Sequence, residues 1–188
     1  MLSLEQCLDR IYPLTPNVKD ELKSYFKMVE LPAKTILFKE GIISKKLYFI
    51  AKGCLRSFYE HKDKDVTLWF ANEGDFITCF KSIIKGVPGL ENIQLAEDCV
   101  LFEIDKIDFF SLVQKHPDIN HLYTKAMEEN YLYWENRVMM LLFYTAKERY
   151  ENLEKNSPYV LKRFSLNQIA SYLGVTQETL SRIRSKKS

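Results

Sequence analysis

The stretch "SLNQIASYLGVTQETLSRIR", residues 165–184, decides the fold of the C-terminal part of this chain. Ser165 followed three residues later by Gln168 matches a capping box, so the stretch predicts a helix that begins after Ser165. Gly174 can end that helix in the left-handed conformation, and Thr176 can cap a second short helix. Two short helices joined by a glycine turn predict a helix-turn-helix.

The second helix of this motif presents side chains that can read DNA. Arginine contacts guanine, glutamine contacts adenine and glutamate accepts from cytosine, while hydroxyls and amides at helix N-termini suit phosphates. We therefore predict a DNA-binding surface formed by Ser165, Thr176, Gln177, Glu178, Ser181, Arg182, Arg184 and Lys186. The alternative is a ligand-binding or interaction module whose helix-turn-helix no longer reads DNA.

Charge is concentrated at the C-terminal end of the chain. The formal net charge of the whole chain is +2. From residue 158 onward there are six basic residues and one acid, a net charge of +5, so the preceding part carries −3. A basic segment on an acidic body is typical of polyanion binding. A solvated charged tail is the alternative that charge by itself leaves open.

Residues 31–105 have the pattern of a β domain. Short runs rich in aromatic and branched residues, such as "KLYFIAKG", "CLRSFYEH" and "VTLWFANEGD", alternate with turn signals, and "HKDKD" at 61–65 predicts a hairpin tip. This spacing predicts a sandwich or barrel-like β domain. Residues 76–93 lack strand alternation, and insertions of this kind often hold a ligand. Ahead of the domain, residues 17–30 have apolar side chains at helical spacing and predict an amphipathic helix.

A long helix is predicted over residues 117–144, with Pro117 at its first turn and no glycine inside it. Shorter helices over 105–116 and 145–156 flank it. Its apolar stripe is wide, which favours packing both on its own β domain and on a second copy of the chain. The predicted dimer interface comprises Leu122, Ala126, Asn130, Trp134, Val138 and Leu141. Asn130 either sets the register of a two-fold seam or faces solvent, and the alternative for the whole stripe is an intrachain core helix.

Several function classes are disfavoured by the sequence. The four cysteines lie far apart without a CxxC pair, the three histidines are scattered, and no Ser–His–Asp or HExxH arrangement is present. We therefore predict buried, reduced thiols, no metal site, no cofactor and no enzymatic activity. No apolar run approaches the roughly 20 residues that span a bilayer, and the N-terminus lacks the pattern of a signal peptide. We expect a cytoplasmic protein without a membrane partner.

Taken together, these features resemble the CRP/FNR family of bacterial transcription regulators over almost the whole chain. "LYFIAKGCLRSFY" and "TLWFANEGDF" resemble the family's cyclic-nucleotide-binding β-roll, the helix after "QKHPDI" its dimerisation helix, and "IASYLGVTQETLSRI" its helix-turn-helix. The resemblance places Gln177, Glu178 and Arg182 on base-contacting positions. It also implies a homodimer on a palindromic double-stranded DNA site, with RNA polymerase as a further candidate partner.

The fold implied by the resemblance is α+β. It consists of a double-stranded, jelly-roll-like β-roll with flanking helices, a long dimerisation helix and a small helix-turn-helix domain. The corresponding domains are a sensor over residues 1–115, the dimerisation helix over 116–143 and the DNA-binding domain over 144–188.

The sequence departs from the family's pattern in the effector pocket. Relatives that bind cyclic AMP carry a Gly-Glu pair after the "GDF" turn and an Arg-Ser/Thr pair about ten residues later; the matching positions here are 78–79 and 89–90 and lack both charges. A flexible lysine such as Lys81 does not copy a bidentate arginine. We predict a pocket formed by Phe76, Thr78, Cys79, Phe80, Lys81, Gly89 and Leu90, with weak or absent binding of cyclic AMP and an effector that the sequence does not name.

A second departure concerns the wing. In many relatives a β-hairpin follows the recognition helix, whereas only four residues follow Arg184 here. We expect a truncated wing, of which "KRF" at 162–164 keeps a part.

Overall fold

The computed structural model describes residues 1–61 and 64–185. Its helices and strands, in chain order, are α1 (Leu4–Ile11), α2 (Pro16–Tyr25), β1 (Lys27–Leu31), β2 (Ile36–Phe38), β3 (Lys46–Lys52), β4 (Leu55–His61), β5 (Lys64–Ala71), β6 (Phe76–Ile77), α3 (Phe80–Lys85), β7 (Asn92–Leu95), β8 (Cys99–Asp105), α4 (Lys106–Lys115), α5 (Pro117–Phe143), α6 (Ala146–Asn156), α7 (Pro158–Arg163), α8 (Leu166–Leu173) and α9 (Gln177–Ser185). The residues between β4 and β5 that were predicted as a hairpin tip lie partly outside the described residues.

The strands form two antiparallel four-stranded sheets. Their orders are β1-β8-β3-β6 and β2-β7-β4-β5. Ile50 and Leu101 from the first sheet and Leu55 and Ile93 from the second are fully buried in one cluster, so the core of the β-roll lies between the sheets. The inward faces of both sheets are apolar, and burying them against each other removes them from water, while β3 is buried on both of its faces. The predicted α+β fold with a β-roll is confirmed.

A second core joins the roll to the helices. Leu8 of α1, Leu22 of α2, Phe109 of α4 and Leu122 of α5 pack together with Phe49 of β3. The N-terminal half of α5 is therefore fixed on its own chain.

The C-terminal helices α6 to α9 have a small core of their own. Leu153, Val160, Leu173 and Leu180 are buried together, and Phe70 of β5 reaches into the same cluster. Local signals set the helix ends as predicted: Ser165 and Gln168 form a reciprocal capping box, and Gly174 ends α8 in the left-handed conformation with φ of 65°. The helix-turn-helix is thus present.

The structure corrects two predictions of secondary structure and adds one helix. The helix predicted over 17–30 ends at Tyr25, because residues 27–31 pair with β8. Residues 76–93, predicted to lack strands, contain β6, α3 and the start of β7. Beyond the helix predicted over 145–156, residues 158–163 form the additional helix α7, and Pro158 stands at its first turn, where proline is tolerated.

The prediction that residues 162–164 keep part of a wing is wrong. These residues end α7 and lead into the cap of α8, and the described residues after 143 form helices and no strand. Among residues 1–61 and 64–185, no helix combines the length and the apolarity that a membrane span requires.

Candidate DNA-binding surface and effector cavity

Helix α9 buries one side and exposes the side that the sequence analysis assigned to DNA. Leu180 is completely buried, while Gln177, Glu178, Ser181 and Arg182 are exposed. The buried side packs on α8 and α6. The four polar side chains are therefore free to meet a ligand along one helix face.

Hydroxyl groups fix the N-termini of both short helices. The Thr176 hydroxyl accepts a hydrogen bond from the Thr179 amide at 3.2 Å, and the Ser165 hydroxyl accepts one from the Gln168 amide at 3.3 Å. Hydrogen bonds from its own amide and from Thr176 lower the pKa of Glu178, which keeps this carboxylate ionised. Arg184 is exposed, and Lys186 lies outside the described residues.

Helices α6 to α9, which we call the DNA-binding unit after the sequence prediction, are docked on the outer face of the sheet that contains β4 and β5. The Ser171 hydroxyl accepts from the Thr67 amide at 2.9 Å and donates to the Asp65 carbonyl at 3.0 Å. The Phe70 ring lies 4.3 Å from the Phe164 ring and 5.1 Å from the Tyr172 ring, measured between centroids. Polar and aromatic contacts thus join α8 directly to β5.

Helix α5 contacts the same unit from another side. Arg137 is buried, donates to the Tyr172 carbonyl and lies 3.8 Å from the centroid of the Tyr172 ring. The hydroxyls of Tyr133 and Tyr172 are 3.4 Å apart. Tyr172 is therefore held between α5 and the β-roll.

A cavity of about 470 Å³ lies where the roll, α5 and the junction of α6 and α7 meet. Of the predicted pocket residues, Phe76, Thr78 and Phe80 line it. Aromatic and polar side chains from distant parts of the chain complete the lining, among them Arg10, Trp69, Asp75, Glu129, Asn130, Tyr133, Trp134 and Tyr159.

The other predicted pocket residues do not line this cavity. Cys79 is buried at the start of α3, and Gly89 lies so close to its sulfur that a Cβ on Gly89 would collide with it. Lys81 is exposed on α3, and Leu90 is 65% exposed. The two positions that match the family's phosphate-binding arginine and serine are thus occupied by a tight packing contact and a surface leucine.

The acids Asp75 and Glu129 line the cavity together with the cation Arg10, so its charged lining residues are mainly acidic. Burial raises the pKa of Asp75 to about 6, although the Asn72 amide donates to its carboxylate. The Arg10 guanidinium already donates to the Glu73 carbonyl at 2.6 Å. Arg10 could not be predicted from sequence as a cavity residue because it comes from α1, more than sixty residues from the pocket along the chain.

A half-buried carboxylate also lies against strands β4 and β5 of the roll. Glu91 accepts from the Ser57 hydroxyl and from the Trp69 indole nitrogen at 3.1 Å. Burial raises its pKa, and these two hydrogen bonds offset part of the rise. Within the described part of the chain Glu91 has no ion pair with a lysine or arginine, so its charge has only neutral donors around it.

The predicted dimer interface needs revision. Leu122 and Ala126 are buried inside their own chain, because the first half of α5 packs on α1 and α4. Asn130 and Trp134 line the cavity and are half-buried, so their place in a two-fold seam stays a prediction. Val138 is 50% exposed and Leu141 is 44% exposed.

The second half of α5 carries an exposed apolar face. We call it the outer face of α5, and its members are Tyr131, Leu132, Val138, Met139, Leu142 and Phe143. They form three adjacent pairs, 131/132, 138/139 and 142/143, whose separations of seven and four residues place them on one broad side of the helix. A surface strip of six exposed apolar side chains is typical of an interaction site.

Comparison with known proteins agrees with this architecture. Residues 28–116 match the family model of the cyclic nucleotide-binding domain. Over 93 residues, 48% of the chain, the sequence is 26% identical to patatin-like phospholipase domain-containing protein 7 of Rattus norvegicus, of which the chain spans only 7%. Over 175 residues it is 22% identical to the cyclic AMP receptor protein of Thermus thermophilus, covering 90% of this chain and 81% of that protein.

A solved structure with the same fold is that of the c-di-GMP responsive global regulator CLP of Xanthomonas campestris. Its TM-score is 0.72 at 18% identity, covering 92% of this chain and 91% of that one. The β-roll thus matches the cyclic nucleotide-binding domain in sequence and resembles it in fold. The chain as a whole has the fold of the CRP/FNR-type regulators, which confirms the resemblance.

Proposed function

We propose that this chain is a homodimeric, sequence-specific DNA-binding transcription regulator of the CRP/FNR type. The observation that carries the proposal is helix α9, which buries Leu180 and leaves Gln177, Glu178 and Arg182 exposed on one face. Glutamine, glutamate and arginine are among the side chains that read base edges in the major groove. The chain divides for this purpose into a sensor over 1–115, a dimerisation helix over 116–143 and a DNA-binding unit over 144–188.

Phosphate contacts would come from the helix N-termini and from the end of α9. Backbone amides at the starts of α8 and α9 and the exposed Arg184 are suited to contact the DNA backbone on either side of the base-reading face. A two-fold dimer would then read a palindromic site with half-sites about 34 Å apart. Contact with RNA polymerase is a further expectation for such a regulator.

Selection of bound fragments from random double-stranded DNA tests the proposal. The enriched sequences should be palindromic. Arg182→Ala should weaken binding by about 1–3 kcal/mol and relax the choice of base at one position of each half-site. Lys85→Ala, which removes one exposed positive charge from α3 on the roll, is the matched control. No enrichment would contradict DNA reading and favour an interaction module.

We further propose that the effector site does not take a cyclic nucleotide in the usual way. A cyclic phosphate is an anion, and the groups nearby include the carboxylates of Asp75, Glu129 and Glu91. Among described residues, the arginine that lines the cavity, Arg10, is already engaged by a carbonyl. Bringing a further anion to this site is unfavourable unless a cation or several N–H donors meet it.

Isothermal titration with cyclic AMP and cyclic GMP tests this second proposal. We expect no heat of binding at millimolar nucleotide. Micromolar binding would show that backbone amides or lysines replace the missing arginine. The solved structure compared above is that of a transcription regulator, which favours regulation over catalysis for this chain as well.

A further inference from the structure

We propose that Arg163 is a positioning residue that fixes the DNA-binding unit on the β-roll. Its place in the basic C-terminal segment would suggest a phosphate contact instead. The inference rests on the proposed function, because what Arg163 positions is the recognition helix α9.

Both terminal nitrogens of the Arg163 guanidinium are engaged by carboxylates of the roll. Its Nη1 donates to Glu73 Oε2 and its Nη2 to Glu73 Oε1, both at 2.9 Å, and Nη2 also donates to the Glu97 carboxylate. Two parallel hydrogen bonds from a planar fork to a carboxylate fix both distance and direction. We call these three residues the Arg163 cluster.

Glu73 is itself tied to the roll. Its Oε1 also accepts from the Gly53 amide at 2.9 Å, so the carboxylate bridges two turns of the β domain before it meets Arg163. Burial alone would raise the pKa of Glu73, but hydrogen bonds from Arg163, from its own amide and from Gly53 hold it at about 2. The carboxylate is therefore ionised at neutral pH and holds its cationic partner.

The Arg163 cluster lies at one end of a continuous docking surface. Phe164, the next residue, packs on Phe70, and Ser171 bonds the backbone of β5. The side chain of Arg163 is 21% exposed, and its hydrogen bonds to Glu73 and Glu97 all lead to the roll. The guanidinium thus has little capacity left for a DNA phosphate.

Positioning matters most when two recognition helices must bind at once. Once the first half-site is bound, the second binds at an effective concentration set by how firmly its unit is held. A loosened unit lowers that effective concentration without changing the contacts within one half-site. Loss of the Arg163 cluster should therefore weaken binding to a palindrome and leave binding to a single half-site almost unchanged.

The test measures the affinity of Arg163→Gln, Glu73→Gln and the double variant for two DNAs, the palindrome and a single half-site, over a series of salt concentrations. We expect each single variant to weaken binding to the palindrome by about tenfold and to the half-site by less than about twofold. The double variant should lose no more than the stronger single variant, because both remove the same interaction. Lys162→Gln, which removes the exposed neighbouring charge, should change the affinity for both DNAs by the same factor.

If Arg163 instead contacted a DNA phosphate, the variants would change the two affinities in a different pattern. Arg163→Gln would then weaken both DNAs equally and reduce the slope of log K against log salt by about 0.9, and Glu73→Gln would not weaken binding. That result would overturn the proposal. A gain in affinity on breaking the Arg163 cluster would also overturn it, since docking would then oppose DNA binding.

Hydrogen exchange separates failure of this inference from failure of the proposed function. The Thr67 amide donates across the docking surface to Ser171, so its exchange reports docking without DNA. It should exchange faster in Arg163→Gln, while the amide of the buried Leu173 stays protected and shows that the unit remains folded. Unchanged exchange at Thr67 would refute positioning even if the chain binds no DNA.

Discussion

Leu142→Glu is expected to dissociate the dimer without unfolding the chain. Leu142 is 69% exposed on the outer face of α5, so the single chain gains little from it. Full burial of a leucine contributes about 1.5–3 kcal/mol, so burying that 69% in both copies contributes about 2–4 kcal/mol to a two-fold interface. At about 1.4 kcal/mol per factor of ten, its loss weakens dimerisation roughly 30- to 700-fold, before any cost of burying the new charge.

Sedimentation equilibrium over a concentration series measures this change directly. Ile107→Glu is the matched control, because Ile107 is an apolar residue 82% exposed on α4 and away from the outer face. Circular dichroism should show both variants folded. The reasoning is refuted if the Leu142 variant dimerises as tightly as the wild type, or if the Ile107 variant dissociates equally.

Three further predictions concern the DNA-binding unit. Leu180→Ala should lower the free energy of unfolding of this unit by about 2–5 kcal/mol, measured by urea denaturation, since Leu180 is completely buried. Gly174→Ala should lower the free energy of unfolding by about 1 kcal/mol in the same assay, because the φ of 65° is unfavourable for alanine. A Cβ at this position has room, since its nearest neighbour, Leu141, lies 3.7 Å away. An unchanged free energy of unfolding would contradict the left-handed conformation. Because the pKa of Glu73 is lowered to about 2, its contribution to stability is full above the ordinary value near 4.5 and is lost as pH falls from there toward 2. Glu73→Gln should flatten stability against pH in that window, and an unchanged pH profile would count against the Arg163 cluster.

The helix-turn-helix could be predicted from sequence because its determinants are local. Ser165 and Gln168 satisfy each other within one turn, and Gly174 sets the end of α8 by its own backbone conformation. Interactions between residues three or four apart leave a readable pattern in the sequence.

Strand β1 could not be predicted in the same way. Tyr25, Phe26 and Val29 fit helical spacing as well as a strand pattern. Pairing with β8, about seventy residues later in the chain, makes residues 27–31 a strand because it satisfies their backbone hydrogen bonds. Tertiary context of this kind overrides local propensity.

The apolar stripe on α5 shows a second limit of sequence reasoning. The stripe is wide because it serves two surfaces, and the sequence does not label them. Leu122 belongs to the core of its own chain, while Leu142 belongs to the outer face. Only the position of α1 and α4 separates the two, just as only the fold brings Arg10 to the cavity.

Arg137 and Val138 are consecutive residues of α5 with opposite surroundings. Arg137 is buried against Tyr172 of the DNA-binding unit, and Val138 belongs to the outer face. Because a helix turns as a rigid body, a rotation that improves packing at Val138 must also shift Arg137. In the proposed dimer, subunit association and the orientation of the DNA-binding unit would then share one coupling free energy, which acts equally in both directions. The concentration of the protein itself would therefore act as a regulatory signal, and DNA that orders the unit would in return tighten the dimer.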